Sequence, residues 1–442
     1  VLARSATAWR ALTPDLRAFV LYNLLSNIGI GVFLTLFNLY LTRLGLREDF
    51  IGLLSGVSTA ALALTAALLG PVVNRVGTVQ VTRAGLAIFS GSSLALCLFA
   101  EPAALLAAGL VNGAAWAALI VPNMPFVIER VAEERRTEVS SLAFGVQMLS
   151  VTIGNLLGGL APGLLAALPA LALDEVGRDR LTLIAGVGLA ALGLLPLARI
   201  GPPPGAGAVL PGRHADDPAA RRTVRRDVAV FALTGGLMAA GASATQPFMN
   251  VYFAELGAST ALVGLIFSLS SLLGALLTLA GPALARRFGA LRSVVALRLG
   301  IIPLFLPLLV VDQLGLAALS FAARTASFAV AWPIEASLIA ALIPERRRAT
   351  TFGLRSASWN GSWAAFSFLA GQVIVRAGYP PVFAWFMLTS LASGLLFLSH
   401  FGPRLQGAGN RHQAARGEAP APAGRAAAGA VPEEPDPSPP AS

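Results

Sequence analysis

Apolar residues recur along this chain in long runs, separated by short stretches where arginine, proline and glycine collect. A helix rising 1.5 Å per residue needs roughly 20 mostly apolar residues to cross a bilayer, and it satisfies its backbone hydrogen bonds internally. On that measure the pattern predicts twelve spans, over 18–41, 50–73, 79–99, 103–128, 139–168, 181–200, 227–253, 259–285, 290–311, 314–342, 350–376 and 381–401. The first run is longer than a signal-peptide core and no small-residue cleavage site follows it. It is therefore expected to remain as the first membrane helix. Pro71, Pro122, Pro125, Pro162, Pro303, Pro307 and Pro333 lie in or at the ends of the runs, where membrane helices tolerate proline because neighbours re-satisfy the freed carbonyls.

Composition agrees with a bilayer as the solvent. Charged residues make up 12% of the 442, hydrophobic residues 56%, and the mean hydropathy is +0.73. Soluble domains carry about 25% charged residues. The net charge of +10 would suggest nucleic acid in a soluble protein, but here its placement matters more. Every basic residue is arginine. Of the 32, 24 fall at the N-terminus, in the even-numbered loops or in the tail, 5 fall in the odd-numbered loops, and 3 lie inside spans. The positive-inside rule then places both termini in the cytoplasm of a cell whose inner (cytoplasmic) membrane the chain crosses. One cysteine, Cys97, excludes an internal disulfide, and His214, His400 and His412 are scattered. No phosphate-binding loop or dinucleotide fingerprint is present, since Gly29-Ile30-Gly31 has no strand before it. No cofactor, metal site or enzyme chemistry is expected.

The chain also repeats itself. Asn38-Leu39-Tyr40, Leu44-Gly45 and Gly52-Leu53 return 212 positions later as Asn250-Val251-Tyr252, Leu256-Gly257 and Gly264-Leu265. Gly70-Pro71, Pro122 and Glu134-Arg135-Arg136 return 211 positions later as Gly281-Pro282, Pro333 and Glu345-Arg346-Arg347. Two parallel six-helix copies follow: an N-terminal half over 1–200, a cytoplasmic linker rich in Pro, Gly and Arg over 201–226, a C-terminal half over 227–401, and a disordered cytoplasmic tail over 402–442. Halves of equal orientation place a substrate site between them near the midplane, around which they rock.

Three local patterns carry a resemblance. The loop after span 2 reads Gly70-Pro71-Val72-Val73-Asn74-Arg75-Val76-Gly77, with a copy from Gly281 to Gly289 that is one residue longer. Span 4 ends with Glu129 and, seven positions on, Arg136. Span 5 carries Gly145, Gly154, Gly158 and Pro162. Together they resemble the major facilitator superfamily, and the span-5 pattern is similar to that of its drug/proton antiporters. The resemblance implies a loop that helps lock a cytoplasmic gate, with Asn74 in place of the family's aspartate. A gate of ion pairs among Glu129, Arg75 and Arg136 would form when the cytoplasmic ends close and break when they open. A solvated loop that only enforces topology is the alternative. Glycines at i and i+4 on span 5 let helix backbones approach closely.

Ionisable residues inside spans are costly and point to function. Glu335 is the carboxylate placed well inside a span. It is read either as the group that binds and releases a coupling proton or as a static ion-pair partner of Arg298 or Arg355. Arg324, 11 positions before it on the same face, is read as an anchor for an anionic or polar substrate group or as an outer-gate lock. Asn27, Asn112, Trp116, Gln147, Asn155, Gln246, Trp332, Trp359 and Asn360 suit a cavity for amphipathic organic molecules, while each alone also suits helix packing. Asn38/Asn250 and Tyr40/Tyr252 are read as structural. The expectation is a monomeric, lipid-embedded secondary transporter that moves a small organic molecule by alternating access, with proton-coupled efflux as the first reading. Uptake of a sugar or organic acid, and a channel-like pore, are the alternatives.

Overall fold

A computed structural model describes residues 13–168, 172–201 and 218–415, and among these the regular structure is entirely helical. Twelve long helical segments follow one another: α1 Pro14–Arg43, α2 Glu48–Val76, α3 Thr78–Leu98, α4 Pro102–Arg130, α5 Glu133–Ala166, α6 Glu175–Ala198, α7 Pro218–Glu255, α8 Thr260–Thr278, α9 Ala290–Leu309, α10 Leu314–Leu342, α11 Glu345–Ala377 and α12 Pro380–Ala415. Eleven of them are long and apolar enough to cross a membrane by length and composition. The exception is α11, whose 33 residues include Arg355, Ser356, Asn360 and Ser362. It is long enough to span but too polar to face lipid all round, and it packs instead between α7 and α2.

Local chemistry sets the ends. Pro14 opens α1, the Thr13 hydroxyl accepts from the Leu16 amide at 3.4 Å, and Arg43 sits in the last turn, where the helix dipole favours a cation. Asp174 and Ser259 cap α6 and α8 in the same way, at 2.8 and 3.3 Å. Gly77 ends α2 at φ +97° and Gly289 precedes α9 at φ +85°, a backbone region that favours glycine. These two turns lie 212 positions apart, so the duplicated loops share their geometry.

Proline decides where helices break. α4 is interrupted between Ile120 and Asn123 at Val121-Pro122, and α7 between Thr245 and Met249 around Pro247. Pro303 and Pro307 divide α9 into short helical pieces, the last of them 3-10. Span 8, expected to reach residue 285, stops at Thr278. Gly281-Pro282 starts a separate amphipathic helix, Gly281–Phe288, which carries Arg286 and Arg287 in its last turn. Two segments are helical further than expected. α7 begins at Pro218, within the segment read as linker, where proline suits a first helical position and Ala219–Arg222 are good helix formers. α12 continues to Ala415, within the segment read as tail. Residues 202–217 and 416–442 lie outside the described residues.

The chain forms one compact unit to Leu398 and a second from Ser399 on; in the second, His400 and Phe401 stack edge to face at 4.7 Å. In the first unit, α1–α6 and α7–α12 meet along two seams, α5 against α8 and α2 against α11. A Cβ on Gly159 would lie 2.6 Å from Gly264 Cα, and one on Gly264 would lie 2.7 Å from Asn155 O. Across the other seam a Cβ on Gly371 would strike Glu48 O, and one on Gly52 would strike Ser367 O. Every member of the first set (Glu48, Gly52, Asn155, Gly159) is the 212-position counterpart of one in the second (Thr260, Gly264, Ser367, Gly371). The repeat noticed in sequence is thus a repeat of helix crossings.

The apolar core is unevenly shared between the two ends. Call the end that bears the loops after α2, α4, α8 and α10 arginine-rich, and the other arginine-poor. At the arginine-poor end one buried cluster draws on both halves, from Leu36, Tyr40 and Ile51 to Phe248, Phe253 and Tyr379. The cluster at the arginine-rich end that holds Leu16, Phe19, Phe126 and Leu197 draws on the first half alone.

Candidate functional site

Between the halves lies a cavity of about 620 Å³. Its sealed floor is made by two reciprocal hydrogen bonds. Asn38 Nδ2 donates to Pro247 O in the break of α7, and Asn250 Nδ2 donates to Thr35 O in α1 at 3.0 Å. Both donor and acceptor positions are related by the 212-residue repeat, so the clasp has the twofold symmetry of the duplication. Tyr40 and Tyr252, the other repeated pair, brace their own halves: the Tyr40 hydroxyl donates to Cys97 O at 2.8 Å, and that of Tyr252 donates to Asp312 at 3.0 Å. Arg43 adds a cross-half tie, pairing with the buried Asp179 of α6 while donating to Thr260 of α8 at 2.8 Å.

The walls are mostly aromatic and aliphatic, with amides and hydroxyls set among them. Six of the expected residues line this cavity: Asn112, Trp116, Asn155, Gln246, Trp359 and Asn360. Asn155 is 2% exposed and joins three helices, accepting from the Thr35 hydroxyl at 3.0 Å and donating to Ser271 at 3.2 Å. Asn112 donates to Ser93 and Ser92 of α3 at 2.8 and 3.1 Å, so its amide is largely spent on helix packing. Asn360 donates to Ser356 O at 2.9 Å on its own helix. Trp359 and Trp363 stack at 6.3 Å, and Trp363 Nε1 reaches the Ser55 hydroxyl across the halves at 3.4 Å. None of the described lining residues carries a formal charge.

Asn27, Gln147, Arg324 and Trp332 are not part of that lining. Asn27 folds back onto Asn23 O at 2.8 Å within α1. Conversely, Asn38, Phe33, Phe37, Phe144, Phe267 and Phe321 line the cavity without having been singled out for it. The phenylalanines carry no sequence signal that separates a cavity wall from a packed core; Asn38 carried one, its repetition, that was read as purely structural.

The family model described as Major Facilitator Superfamily matches residues 19–326 and again 231–431. The chain belongs to the major facilitator superfamily. No curated protein matches it. Solved structures of the same fold include the nucleoside transporter NupG, at TM-score 0.70 and 15% identity over 88% of this chain and 99% of that one. They also include a D-xylose–proton symporter, at 0.64 and 15% over 87% and 96%. A bacterial homologue of the human lysosomal transporter Spinster, inward-facing and occupied, aligns at 0.63 and 18% over 87% and 94%. This facilitator is accordingly a multi-pass membrane transporter and not an enzyme.

The facilitator's second half holds a buried charge cluster beside the cavity. Glu335 of α10 accepts from both of the arginines offered as partners: Arg298 Nη2 at 2.9 Å, Arg355 Nε at 3.0 Å and Arg355 Nη2 at 3.0 Å. All three residues are at most 5% exposed. The Arg298 guanidinium lies 4.7 Å from the Phe397 ring centroid, and that of Arg355 lies 4.2 Å from Trp332. Arg324, about three turns before Glu335 on the same face of α10, donates to Gln246 Oε1 and sits over Phe328 and Phe386 at 5.1 and 5.6 Å. It therefore supports a cavity-lining amide from behind.

At the arginine-rich end, Glu129 accepts from the Thr78 hydroxyl at 2.9 Å, which ties α4 to the start of α3. Arg136 donates to the carbonyls of Val131 and Ile128 at 3.1 and 3.2 Å. No ion pair joins Glu129 to Arg75 or Arg136 among the described residues. Arg130 of α4 forms an ion pair at this end, with Asp15 of α1. Gly70 and the exposed Asn74 lie in the last two turns of α2, which Gly77 closes. On α5, Gly154 and Gly158 pack against α1, where a Cβ on Gly158 would lie 3.0 Å from Val32 O; Gly145 faces open space, and Pro162 sits within the helix.

Proposed function

We propose that this facilitator carries a small organic molecule with an apolar, largely aromatic body and hydrogen-bonding groups across the cytoplasmic membrane by alternating access. The observation that carries this reading is the cavity of about 620 Å³ between the halves, walled by Trp116, Trp359, Trp363 and phenylalanines with amides interspersed, and closed at one end only by the merged core and the asparagine clasp. Pockets of this size and lining suit drug-sized or smaller amphipathic ligands. The arginine asymmetry supports an arginine-rich end in the cytoplasm, so the cavity is drawn in a cytoplasm-facing state, with the linker between the halves and both termini on that side. In that state no ion pair joins Glu129 to Arg75 or Arg136 among the described residues, and since all three belong to the first half, pairing them requires movement of α2, α4 and α5 within that half.

Proton-coupled export requires a carboxylate that can trade a proton with the cavity. Glu335 is held by two guanidiniums, which stabilise its ionised form. This geometry favours the second reading, uptake or exchange in which Glu335 is a structural ion-pair partner. Reconstituted liposomes loaded with substrate separate the alternatives. A carrier shows saturable counterflow, and Glu335 as proton carrier demands that Glu335→Gln abolish acid-driven accumulation while sparing counterflow. Flux linear in concentration without limit would replace the carrier reading with a pore.

A further inference from the structure

Resting on the carrier reading, we infer that the transported molecule is an organic monoanion, and that its carboxylate seats beside Arg298 and Arg355 in a subsite off the main cavity.

The triad of Arg298, Glu335 and Arg355 joins two guanidiniums to one carboxylate, so it holds a net charge of +1 between membrane helices. Arg324 adds a second positive charge on the same face of α10, partnered by an amide and a carbonyl rather than an acid. An uncompensated charge in a low-dielectric interior is costly and calls for a counter-ion. Two donors also remain unfilled: Arg298 Nη1 and Arg324 Nε are buried without a hydrogen-bond partner. Arginine in such a place is matched by carboxylates, which it grips through two parallel N–H bonds.

A small cavity of about 30 Å³ adjoins the triad and is lined by Arg298, Glu335, Arg355, Ser327, Trp332 and Trp359. That is room for a carboxylate-sized group and not for the body of an organic molecule. Trp359 lines this cavity and the large one alike, so an acid whose ring occupies the aromatic walls has its charged end within reach of the guanidiniums. Phe328 packs against the Arg324 guanidinium and also lines the small cavity, so the second positive centre lies behind one wall of that cavity. The large cavity offers no lining carboxylate among the described residues, which removes the feature that would recruit a cation.

The test uses two matched pairs of probes, benzoate with benzamide and indole-3-acetate with indole-3-acetamide. They are offered to the purified full-length protein in a buffer whose only other anion is a bulky sulfonate. At least one acid is expected to bind saturably and about tenfold or more tighter than its neutral amide, the difference of one charge-assisted hydrogen bond. Arg298→Gln is expected to erase that preference while leaving a balanced Glu335–Arg355 pair, so the fold is retained. Chloride is titrated against the bound acid to separate an organic head group from an inorganic anion. Equal affinity of acid and amide in the wild-type protein overturns the inference whether or not the variant folds. So does full displacement by chloride at concentrations where no acid is preferred over its amide. Saturable counterflow without charge preference would sink this subsite and leave the carrier reading intact, whereas unsaturable flux would sink the carrier reading.

Discussion

Consider Asn38→Ala and Asn250→Ala, which remove the reciprocal pair of hydrogen bonds at the arginine-poor end and leave the Arg43–Thr260 tie and the shared apolar core in place. Each bond joins a side-chain amide, half-buried at Asn38 and buried at Asn250, to a carbonyl of the opposite half. A hydrogen bond of this kind contributes about 1 kcal/mol net, in water or in a membrane protein. Each single variant should therefore shift the balance toward opening of that end about fivefold, and the double variant about thirtyfold. The two singles should not be quite equal. Asn250 Oδ1 also accepts from the Val251 amide at 3.0 Å, supporting the restart of α7, so its loss carries an added local cost. The protein has one native cysteine, Cys97, which makes labelling clean. In a Cys97→Ala background, Ser58→Cys places a thiol on the cavity wall. An impermeant maleimide applied from the arginine-poor face should label it faster in proportion to the opened fraction. Identical labelling rates in the parent and in the folded double variant would refute the argument that this clasp holds the end shut.

Three further outcomes follow from the same geometry. Glu335→Gln leaves two buried guanidiniums without a counter-charge and should cost about 3–5 kcal/mol of stability; denaturant unfolding in detergent reads this, the double variant with Arg298→Gln should recover part of it, and a Gln variant as stable as the parent would dismiss the triad. Gly159→Leu or Gly371→Leu should jam a seam, costing about 1–3 kcal/mol through overpacking and stopping transport; parental transport rates in both would show that the seams tolerate bulk. Gly77→Ala and Gly289→Ala should each cost about 1–3 kcal/mol because their φ of +97° and +85° strains an alanine; melting temperatures unchanged in both would refute the shared turn geometry.

Helix number and the duplication were legible because both depend on periodic apolar runs and on residues that repeat at fixed distance. The position of α10 was read to the residue, Leu314–Leu342, since polar loops bound it on both sides. Span 8 was drawn too long because Gly281-Pro282 ends an apolar run without ending its hydrophobicity. Which side chains face the cavity was harder. Asn155 and Trp359 reach it while Gln147 and Asn27 do not, and that distinction depends on helix rotation set by contacts between distant segments. The partner of Glu335 was posed as Arg298 or Arg355; only folding shows that α9 and α11 flank α10, so that both arrive. Arg43 was counted as a loop charge, yet Asp179 gives it a buried partner 136 residues away.

The polarity of α11 bears on how the chain reaches the membrane at all. A segment carrying Arg355, Ser356, Asn360 and Ser362 gains little by leaving the translocon into lipid alone. Its lateral exit depends on a berth already waiting, formed by α7 from its own half and by α2, which was synthesised roughly three hundred residues earlier. Biogenesis of the second half is thereby made conditional on a first half that has already inserted, and the last six helices produced by themselves should leave α11 stranded and the product degraded.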